Sequence, residues 1–388
     1  MISCGEPSGD LYAGALASEI LKIEPDAVIT GFGSDRLRAA GATLVGDFKG
    51  LSVTGLTEAV RVIPRSWRNY RALVRAADDA RPDVFVPIDF PDFNFFPARA
   101  LYKRGVPVVY YISPQLWAWR RGRLKTMKRV ADRVLVIFPF EAPFYEAAGI
   151  PVTFVGHPLL ELMPPTEPRE PFLRGHGLDP ARPVVALLPG SRRNELRALL
   201  PDMVRTAGII GGRLPSAQFI VARAPHLEDA LLAPLGEWPS GASHPVVIEG
   251  QTDAVLASAD VAVLASGTVT VQAALHGCPM VVVYRVGPLT YKLGMPLLHV
   301  DTYAMVNLIA GSRVVPELMQ DDFTPEAAAA EALRVLLDPA HASKVRADLA
   351  VVRSQLGTAG ASRRAAEAVI GAARKHKAEG KDKAEGRR

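Results

Sequence analysis

The sequence predicts an α/β protein of two doubly wound, Rossmann-like domains, and three observations support this fold class. Short apolar runs alternate with amphipathic stretches of helical periodicity along most of the chain. The alternation stops at a proline-rich segment, 163–172, and then starts again. The runs are apolar at nearly every position, which is typical of strands buried on both faces of a parallel sheet. Two such sheets joined by a linker are therefore expected.

The predicted elements divide the chain into two domains and a C-terminal region. The strands expected in the first half are 82–88, 106–112 and 132–138. Those expected in the second half are 182–189, 216–222, 245–250, 260–266 and 279–285. We predict a first domain over 1–165, a second over 173–340, helices over 341–373 and a disordered basic tail over 374–388.

Composition and charge exclude several classes of protein. No apolar run approaches the roughly 18 residues that a membrane-spanning helix needs. The net charge of +5 comes mainly from 374–388, which holds seven basic and three acidic side chains, so nucleic-acid binding is not indicated. Two cysteines, Cys4 and Cys278, fit a reducing compartment, and we predict a cytoplasmic protein.

Ligands of open parallel sheets bind at the carboxyl ends of the strands, so the loops after the apolar runs are the candidates for chemistry. In 4–10, Ser8 and Asp10 flank glycines at a helix start, where an anion could bind; a capped turn is the alternative. In 89–94, Asp89 or Asp92 lies among phenylalanines that could raise its pKa and make it a general base. Helix capping by Asp92 or Asn94 is the alternative there.

A third loop, 113–129, combines tryptophans with a basic helix. Trp117, Trp119 and Arg120 suit a lipid-facing or phosphate-binding role; a solvated basic helix with core tryptophans is the alternative.

Two loops of the second domain are suited to phosphate. In 187–195, Gly190 and Ser191 allow a tight turn into a helix, and Arg192 and Arg193 bring cations to its start. In 265–272, an open backbone and hydroxyl groups could bind a second phosphate or a ribose, and the residues that offer them are Ser266, Gly267 and Thr268. The two loops together predict a site that binds the phosphates of a nucleotide. Scattered histidines and two distant cysteines predict no metal site.

These motifs resemble those of the lipid-A-disaccharide synthase family, inverting glycosyltransferases of the GT-B architecture. The resemblance is carried by the segments GEPSGD (5–10), LSVTGLTEAV (51–60), PDVFVPIDFPDFN (82–94), SPQLWAWRRGR (113–123), FPFE (138–141), VGHPLLE (155–161), LPGSRRNE (188–195), ASGTVTVQ (265–272), CPMVVVYR (278–285) and NLIAGSRVVPELMQ (307–320). It implies a GT-B fold, two Rossmann-like doubly wound domains with the active-site cleft between them.

The resemblance also implies the reaction. UDP-2,3-diacylglucosamine would donate its sugar to 2,3-diacylglucosamine 1-phosphate, giving the β-1,6-linked disaccharide 1-phosphate and UDP, without a cofactor or metal. Asp92, with Asp89 beside it, would supply the base. The UDP-binding residues would be Gly190, Ser191, Arg192, Arg193, Glu195, Ser266, Gly267, Thr268 and Gln272. The acceptor or lipid would meet Ser8, Asp10, Phe93, Asn94, Trp117, Trp119 and Arg120, with Phe95 a further candidate for the acyl chains.

A tetraacylated product implies a peripheral enzyme at the inner-membrane surface, and a homodimer is left open. The chain departs from the family pattern at Gln272, where a glutamate usually binds the ribose. Two alternatives are another GT-B UDP-N-acetylglucosamine transferase or epimerase, and a non-catalytic nucleotide-sugar binding protein.

Overall fold

The computed structural model describes residues 1–48, 56–118, 121–225, 227–287 and 302–385. The described chain forms two compact units. One contains residues up to Leu162 together with the C-terminal segment from Leu356, and the other contains the residues between them. Both units are α/β, as predicted.

The first unit is built on parallel strands that alternate with helices. Its strands are β1 (Ile2–Ser3), β2 (Thr30–Gly33), β3 (Thr43–Asp47), β4 (Val86–Pro87), β5 (Val109–Tyr111), β6 (Arg133–Val136) and β7 (Val152–Phe154). Its helices before the second unit are α1 (Pro7–Ile23), α2 (Asp35–Ala39), α3 (Leu56–Ala80), α4 (Pro91–Tyr102), α5 (Leu124–Val130), α6 (Glu141–Ala147) and α7 (Leu159–Leu162).

The strands of the first unit lie in the order β3-β2-β1-β4 and β5-β6-β7. Parallel bridges from Phe85 to Val108 and from Ile88 to Tyr111 connect β4 to β5. The order therefore reverses between β1 and β4, as in nucleotide-binding doubly wound folds.

The second unit repeats this plan. Its strands are β8 (Val184–Leu188), β9 (Gln218–Arg223), β10 (Val246–Glu249), β11 (Val261–Ala265), β12 (Met280–Tyr284) and β13 (Glu317–Met319). Its helices are α8 (Arg169–Gly175), α9 (Arg193–Arg213), α10 (Thr252–Ser258), α11 (Thr268–Leu275), α12 (Met305–Ala310), α13 (Pro325–Leu337) and α14 (Pro339–Gln355). The sheet order is β10-β9-β8-β11-β12-β13, and the reversal lies between β8 and β11.

The apolar runs form the centre of this second sheet. Every residue of β8 and of β11 is buried, because α-helices cover both faces. Helix α13 shows why the covering helices begin where they do. The Thr324 hydroxyl accepts the Ala327 N–H at 3.1 Å, and Pro325 occupies the first turn, where a missing N–H costs nothing.

The C-terminal region differs from the sequence prediction in two respects. Helix α14 belongs to the second unit, whereas the last helix, α15 (Ala361–Glu385), belongs to the first and packs on α1. The predicted disorder of 374–388 is wrong up to Glu385, because α15 continues that far. Alanine-rich sequence favours the helix, and Lys377 forms an ion pair with Asp83 at 2.8 Å.

Within the described ranges, none of the helices combines the length and the apolar character that crossing a membrane requires.

Candidate functional site

The reversal of strand order brings the predicted loops together in pairs. In the first unit β1 pairs with β4, so the loop after Ser3 lies beside the loop after Pro87. In the second unit β8 pairs with β11, so the loop after Leu188 lies beside the loop that begins at Ser266. Open α/β sheets bind ligands at such a point, where neighbouring strands lead to helices on opposite faces.

The turn from β8 into α9 depends on Gly190. Its φ is +110°, and a Cβ at this position would lie 2.3 Å from the Glu195 Oε2 atom. That carboxylate accepts the N–H groups of Ser191 at 3.0 Å and Arg192 at 3.2 Å. Glu195 is nearly buried and closes the start of α9, so it shapes the loop. Its assignment to the UDP-binding set stays a prediction.

The two arginines of this loop are both engaged with acids. The Arg192 guanidinium donates to Glu195 Oε1 at 3.0 Å, and Arg193 forms an ion pair with Glu228 at 2.5 Å. Their side chains are 41% and 56% exposed, which leaves both guanidinium groups accessible to a phosphate. Arginine has five N–H donors, so a paired guanidinium can still bind an anion.

The loop from β11 into α11 is open. The Ser266 N–H donates to Val283 O at 3.0 Å, which ties the loop to the sheet. Gly267 and Thr268 are exposed, and α11 begins at Thr268. The Thr270 hydroxyl donates to Gly267 O at 2.8 Å and fixes the first turn.

Gln272 lies one turn further along α11 and contacts a carboxylate that the sequence did not single out. Its Nε2 donates to Asp253 Oδ1 at 3.2 Å, and His276 Nε2 lies 2.9 Å from the same oxygen. Asp253 is in the first turn of α10, so the contact depends on the packing of α10 against α11.

The turn from β4 into α4 is held in an unusual conformation. Asp89 and Phe90 have φ values of +41° and +48°, which are costly for residues other than glycine. The Asn94 side chain holds the turn, since its Nδ2 donates to Ser3 O, Ile88 O and Asp89 O at 2.8–3.2 Å. The Tyr110 hydroxyl donates to Asp89 O at 2.9 Å.

Asn94 therefore supports the turn from β4 into α4. Its side chain is fully buried, and its Oδ1 accepts the Ser3 hydroxyl at 2.6 Å. Asp10 is used in a similar way, because its buried carboxylate accepts the N–H groups of Ser34, Arg36 and Leu37 and caps α2. The assignment of Asn94 and Asp10 to the acceptor-binding set stays a prediction.

Asp92 is the exposed carboxylate of this turn. Its side chain is 66% exposed and forms an ion pair with Arg123, whose guanidinium also lies over the Phe95 ring at 5.9 Å. The apolar surroundings expected for this carboxylate are not observed. Asp89, by contrast, is half-buried.

Three aromatic side chains expected to meet lipid lie in the core. Phe93 is 5% exposed and packs on Phe32 with ring centroids 5.1 Å apart, and Phe95 packs on Tyr110 at 5.6 Å. Trp117 is buried, and its Nε1 donates to Glu141 at 3.3 Å. Removing these apolar rings from water stabilises the folded unit, which favours their place in the core.

Trp119 and Arg120 lie outside the described residues, and Ser8 is half-buried in the first turn of α1.

Two buried titratable groups stand at the same edge of the first sheet. Burial raises the pKa of Glu141 to about 8, although hydrogen bonds from Phe138 and Trp117 oppose the shift. Burial lowers the pKa of His157 to about 3, so His157 is neutral and its Nδ1 accepts the Leu159 N–H at 3.2 Å. These contacts of His157 are those of a structural residue. In the sequence, nothing apart from its position after a predicted strand marked Glu141 as a candidate site residue.

Among the described residues, no three or more His, Cys, Asp or Glu side chains are grouped so that they could hold a metal ion.

Sequence comparisons place these features in a family. A profile described as lipid-A-disaccharide synthetase matches residues 1–370. A lipid-A-disaccharide synthase of Geobacter sulfurreducens is 45% identical over 370 residues, which cover 95% of this chain and 96% of the relative. A lipid-A-disaccharide synthase of Koribacter versatilis is 42% identical over 97% of this chain and 98% of its own length.

Solved structures share the fold at low sequence identity. A UDP-N-acetylglucosamine 2-epimerase of Neisseria meningitidis, solved with UDP-N-acetylglucosamine bound, matches with a TM-score of 0.63 at 11% identity, over 95% of this chain and 98% of the other. The kitacinnamycin glycosyltransferase matches with a TM-score of 0.64 at 20% identity, over 96% and 98%. The fold is thus that of GT-B proteins, as predicted. The near-complete match at 42–45% identity shows that this chain belongs to the lipid-A-disaccharide synthetase family.

Proposed function

We propose that this enzyme transfers 2,3-diacylglucosamine from UDP-2,3-diacylglucosamine to 2,3-diacylglucosamine 1-phosphate. The products are the β-1,6-linked disaccharide 1-phosphate and UDP, and no cofactor takes part. Beside the family membership, one structural observation carries the proposal. Asp92 presents an accessible carboxylate at the strand-order reversal of the first unit, while the second unit has two phosphate-suited loops at its own reversal.

The reaction needs one base and one site for the departing diphosphate. Asp92 accepts the proton of the acceptor 6-hydroxyl while that oxygen forms a bond to the sugar C1. The bond from C1 to the diphosphate oxygen breaks on the opposite face, so the configuration inverts and UDP leaves. Positioning and charge stabilisation lower the barrier of such an oxocarbenium-like step.

Arg123 keeps Asp92 in place for this role. The ion pair and the contact of Arg123 with the Phe95 ring anchor the guanidinium on one side. A carboxylate has about four acceptor sites on its two oxygens, so Asp92 can accept a proton from the substrate while it is paired with Arg123. Asp89 lies three residues earlier in the strained turn and shapes its backbone.

We assign the UDP moiety to the second unit. Its diphosphate is bound by Arg192, Arg193 and the exposed backbone at Gly267 and Thr268. Gly190 and Ser191 contribute by setting the turn that carries the arginines. The first unit binds the acceptor.

A surface of α3 and α4 supports attachment to the inner-membrane surface, on the cytoplasmic side. Ile63, Trp67 and Phe96 are each more than half exposed. Arg71 lies over the Trp67 ring at 5.4 Å, and Arg68 is also exposed. Exposed aromatic and aliphatic groups among arginines suit the interface of an anionic bilayer.

The test is an assay of the purified protein with both lipid substrates in detergent, with disaccharide formation followed by mass spectrometry. Asp92→Asn should keep the fold and UDP binding but lose about 10²–10⁴-fold in kcat, the usual contribution of a general base. Undiminished turnover would remove Asp92 as the base. Hydrolysis or epimerisation of UDP-N-acetylglucosamine without any lipid acceptor would instead favour the alternative GT-B transferase or epimerase.

Asp78→Asn is the matched control. Asp78 is likewise an exposed aspartate paired with an arginine, Arg104 at 2.5 Å, but it lies at the end of α3 away from the carboxyl ends of the strands. Its replacement should leave kcat unchanged.

A further inference from the structure

The second unit contains a three-residue polar cluster beside the open loop of β11. Asp253, Gln272 and His276 come from two adjacent helices. The Gln272 Nε2 atom lies 3.2 and 3.4 Å from the two Asp253 oxygens, and His276 Nε2 lies 2.9 Å from Oδ1. The side chains of Asp253 and His276 are 15% and 11% exposed, so the cluster is largely shielded from water.

The chemistry of the cluster fixes the direction of the glutamine amide. A carboxylate only accepts hydrogen bonds, so Gln272 must turn its NH₂ group towards Asp253. The amide carbonyl oxygen then points away from Asp253 and remains an acceptor. His276 bonds Asp253 from the other side and limits its rotation. Replacing Asp253 by a neutral amide would let Gln272 adopt either orientation.

The placement of Gln272 connects this acceptor to the loop. Residues four apart lie on the same face of a helix, so Gln272 shares its face of α11 with the exposed Thr268. Helix α10 starts after β10, at the same carboxyl edge of the sheet. The cluster thus lies one helical turn from the backbone that we assign to the diphosphate.

We propose that Asp253 is a positioning residue of the nucleotide site, which holds the Gln272 amide so that its carbonyl oxygen accepts a hydrogen bond from a ribose hydroxyl. The inference rests on the proposed function in assuming a nucleoside diphosphate donor. Asp253 carries the negative charge that Gln272 lacks. Its hydrogen bond with the amide NH₂ group polarises the amide and makes the Gln272 carbonyl oxygen a stronger acceptor. Gln272 is the residue that contacts the ribose, and Asp253 and His276 act through it.

The measurement is calorimetric titration of the full-length protein with UDP, 2′-deoxy-UDP and 3′-deoxy-UDP. The wild type should bind at least one deoxy analogue roughly tenfold more weakly than UDP, as expected for one lost hydrogen bond in a shielded site. Asp253→Asn should reduce that ratio towards one. If Asp253 only ties α10 to α11, Asp253→Asn should lower the melting temperature but leave the ratio of UDP to deoxy-UDP affinity unchanged.

An exchange of charge within the pair gives the sharpest test. Gln272→Glu alone places two carboxylates against each other and should weaken UDP binding. The double variant Asp253→Asn with Gln272→Glu again contains one carboxylate and one amide, so it should restore both UDP affinity and the preference for ribose. If Asp253→Asn does not fold, the double variant alone decides, because recovery of the preference supports the proposal and its absence refutes it.

Glu249→Gln is the matched control, since this exposed carboxylate at the end of β10 pairs with Arg223 and not with the cluster. It should leave the ribose preference unchanged. No binding of UDP by the wild type would contradict the proposed function itself. Normal UDP binding with an Asp253→Asn variant that keeps the full preference would refute only the role of Asp253.

Discussion

Replacement of Asn94 by alanine should both destabilise the first unit and impair catalysis. The fully buried side chain makes four hydrogen bonds at 2.6–3.2 Å, which join the end of β1 to the strained turn after β4. Alanine removes all four and leaves a small void. The positive φ values of Asp89 and Phe90 then lose the contacts that maintain them.

The magnitude follows from the hydrogen bonds. Each contributes about 0.5–1.5 kcal/mol net, so the loss of four should lower the free energy of unfolding by about 2–6 kcal/mol. Relaxation of the turn also displaces Asp92, which lies two residues after Phe90. We expect kcat to fall at least about tenfold, because moving a catalytic group by about 1 Å can lower the rate by more than that.

Urea unfolding followed by circular dichroism, together with the disaccharide assay, measures both effects. Asn69→Ala is the control, because Asn69 is in the same unit but its Nδ2 makes no hydrogen bond with the protein. The reasoning would be refuted if Asn94→Ala were no less stable than Asn69→Ala, or if it lost stability while kcat stayed at the wild-type value.

Two further predictions concern a buried acid and a glycine. Because the pKa of Glu141 is about 8 in the folded protein and near 4.5 when exposed, the unfolded chain releases its proton first as the pH rises. The free energy of unfolding should therefore fall between about pH 5 and pH 8, and Glu141→Gln should remove part of that fall. Urea unfolding measured across this range would contradict the prediction if both proteins lost the same free energy of unfolding. Gly190→Ala forces a Cβ onto Glu195 at a φ of +110°, so UDP affinity should drop by about tenfold or more through a conformational cost of about 1–2 kcal/mol. Gly212→Ala, where the added Cβ meets no atom within 4 Å beyond its chain neighbours and the backbone of its own helix, should bind UDP normally.

The strands and the loops that follow them could be predicted from the sequence because their signal is local. A continuous apolar run such as 182–189 has few alternatives to a buried parallel strand. The loops at Gly190 and Ser266 follow directly, since parallel strands deliver their carboxyl ends to one edge.

The roles of polar side chains in those loops could not be predicted in the same way. Asp10 and Asn94 were assigned to a ligand, but both are used by nearby backbone groups. An acidic or amide side chain at a strand end can bond a substrate or the chain itself, and the residue type alone does not decide between them. Phe93 and Phe95 became core residues because the sheet, and not a lipid, covers them.

Contacts between helices were also beyond the sequence. Asp253 and Gln272 meet only because α10 packs on α11. The helical form of 374–385 was missed because its charge suggested disorder, while the acidic partners Glu24 and Asp83 lie far away in the sequence.

The return of α15 to the first unit has a consequence for biosynthesis. Glu161 accepts the N–H groups of Gly360 and Ser362, and Arg364 donates to Val155 O at 2.8 Å. These bonds cannot form until the ribosome has added residues 163–355, which takes roughly 10–40 s at typical elongation rates. During that interval the face of α1 that later packs on α15 is uncovered, whereas the second unit needs no residue beyond Gln355. The nascent chain should thus complete its second unit before its first.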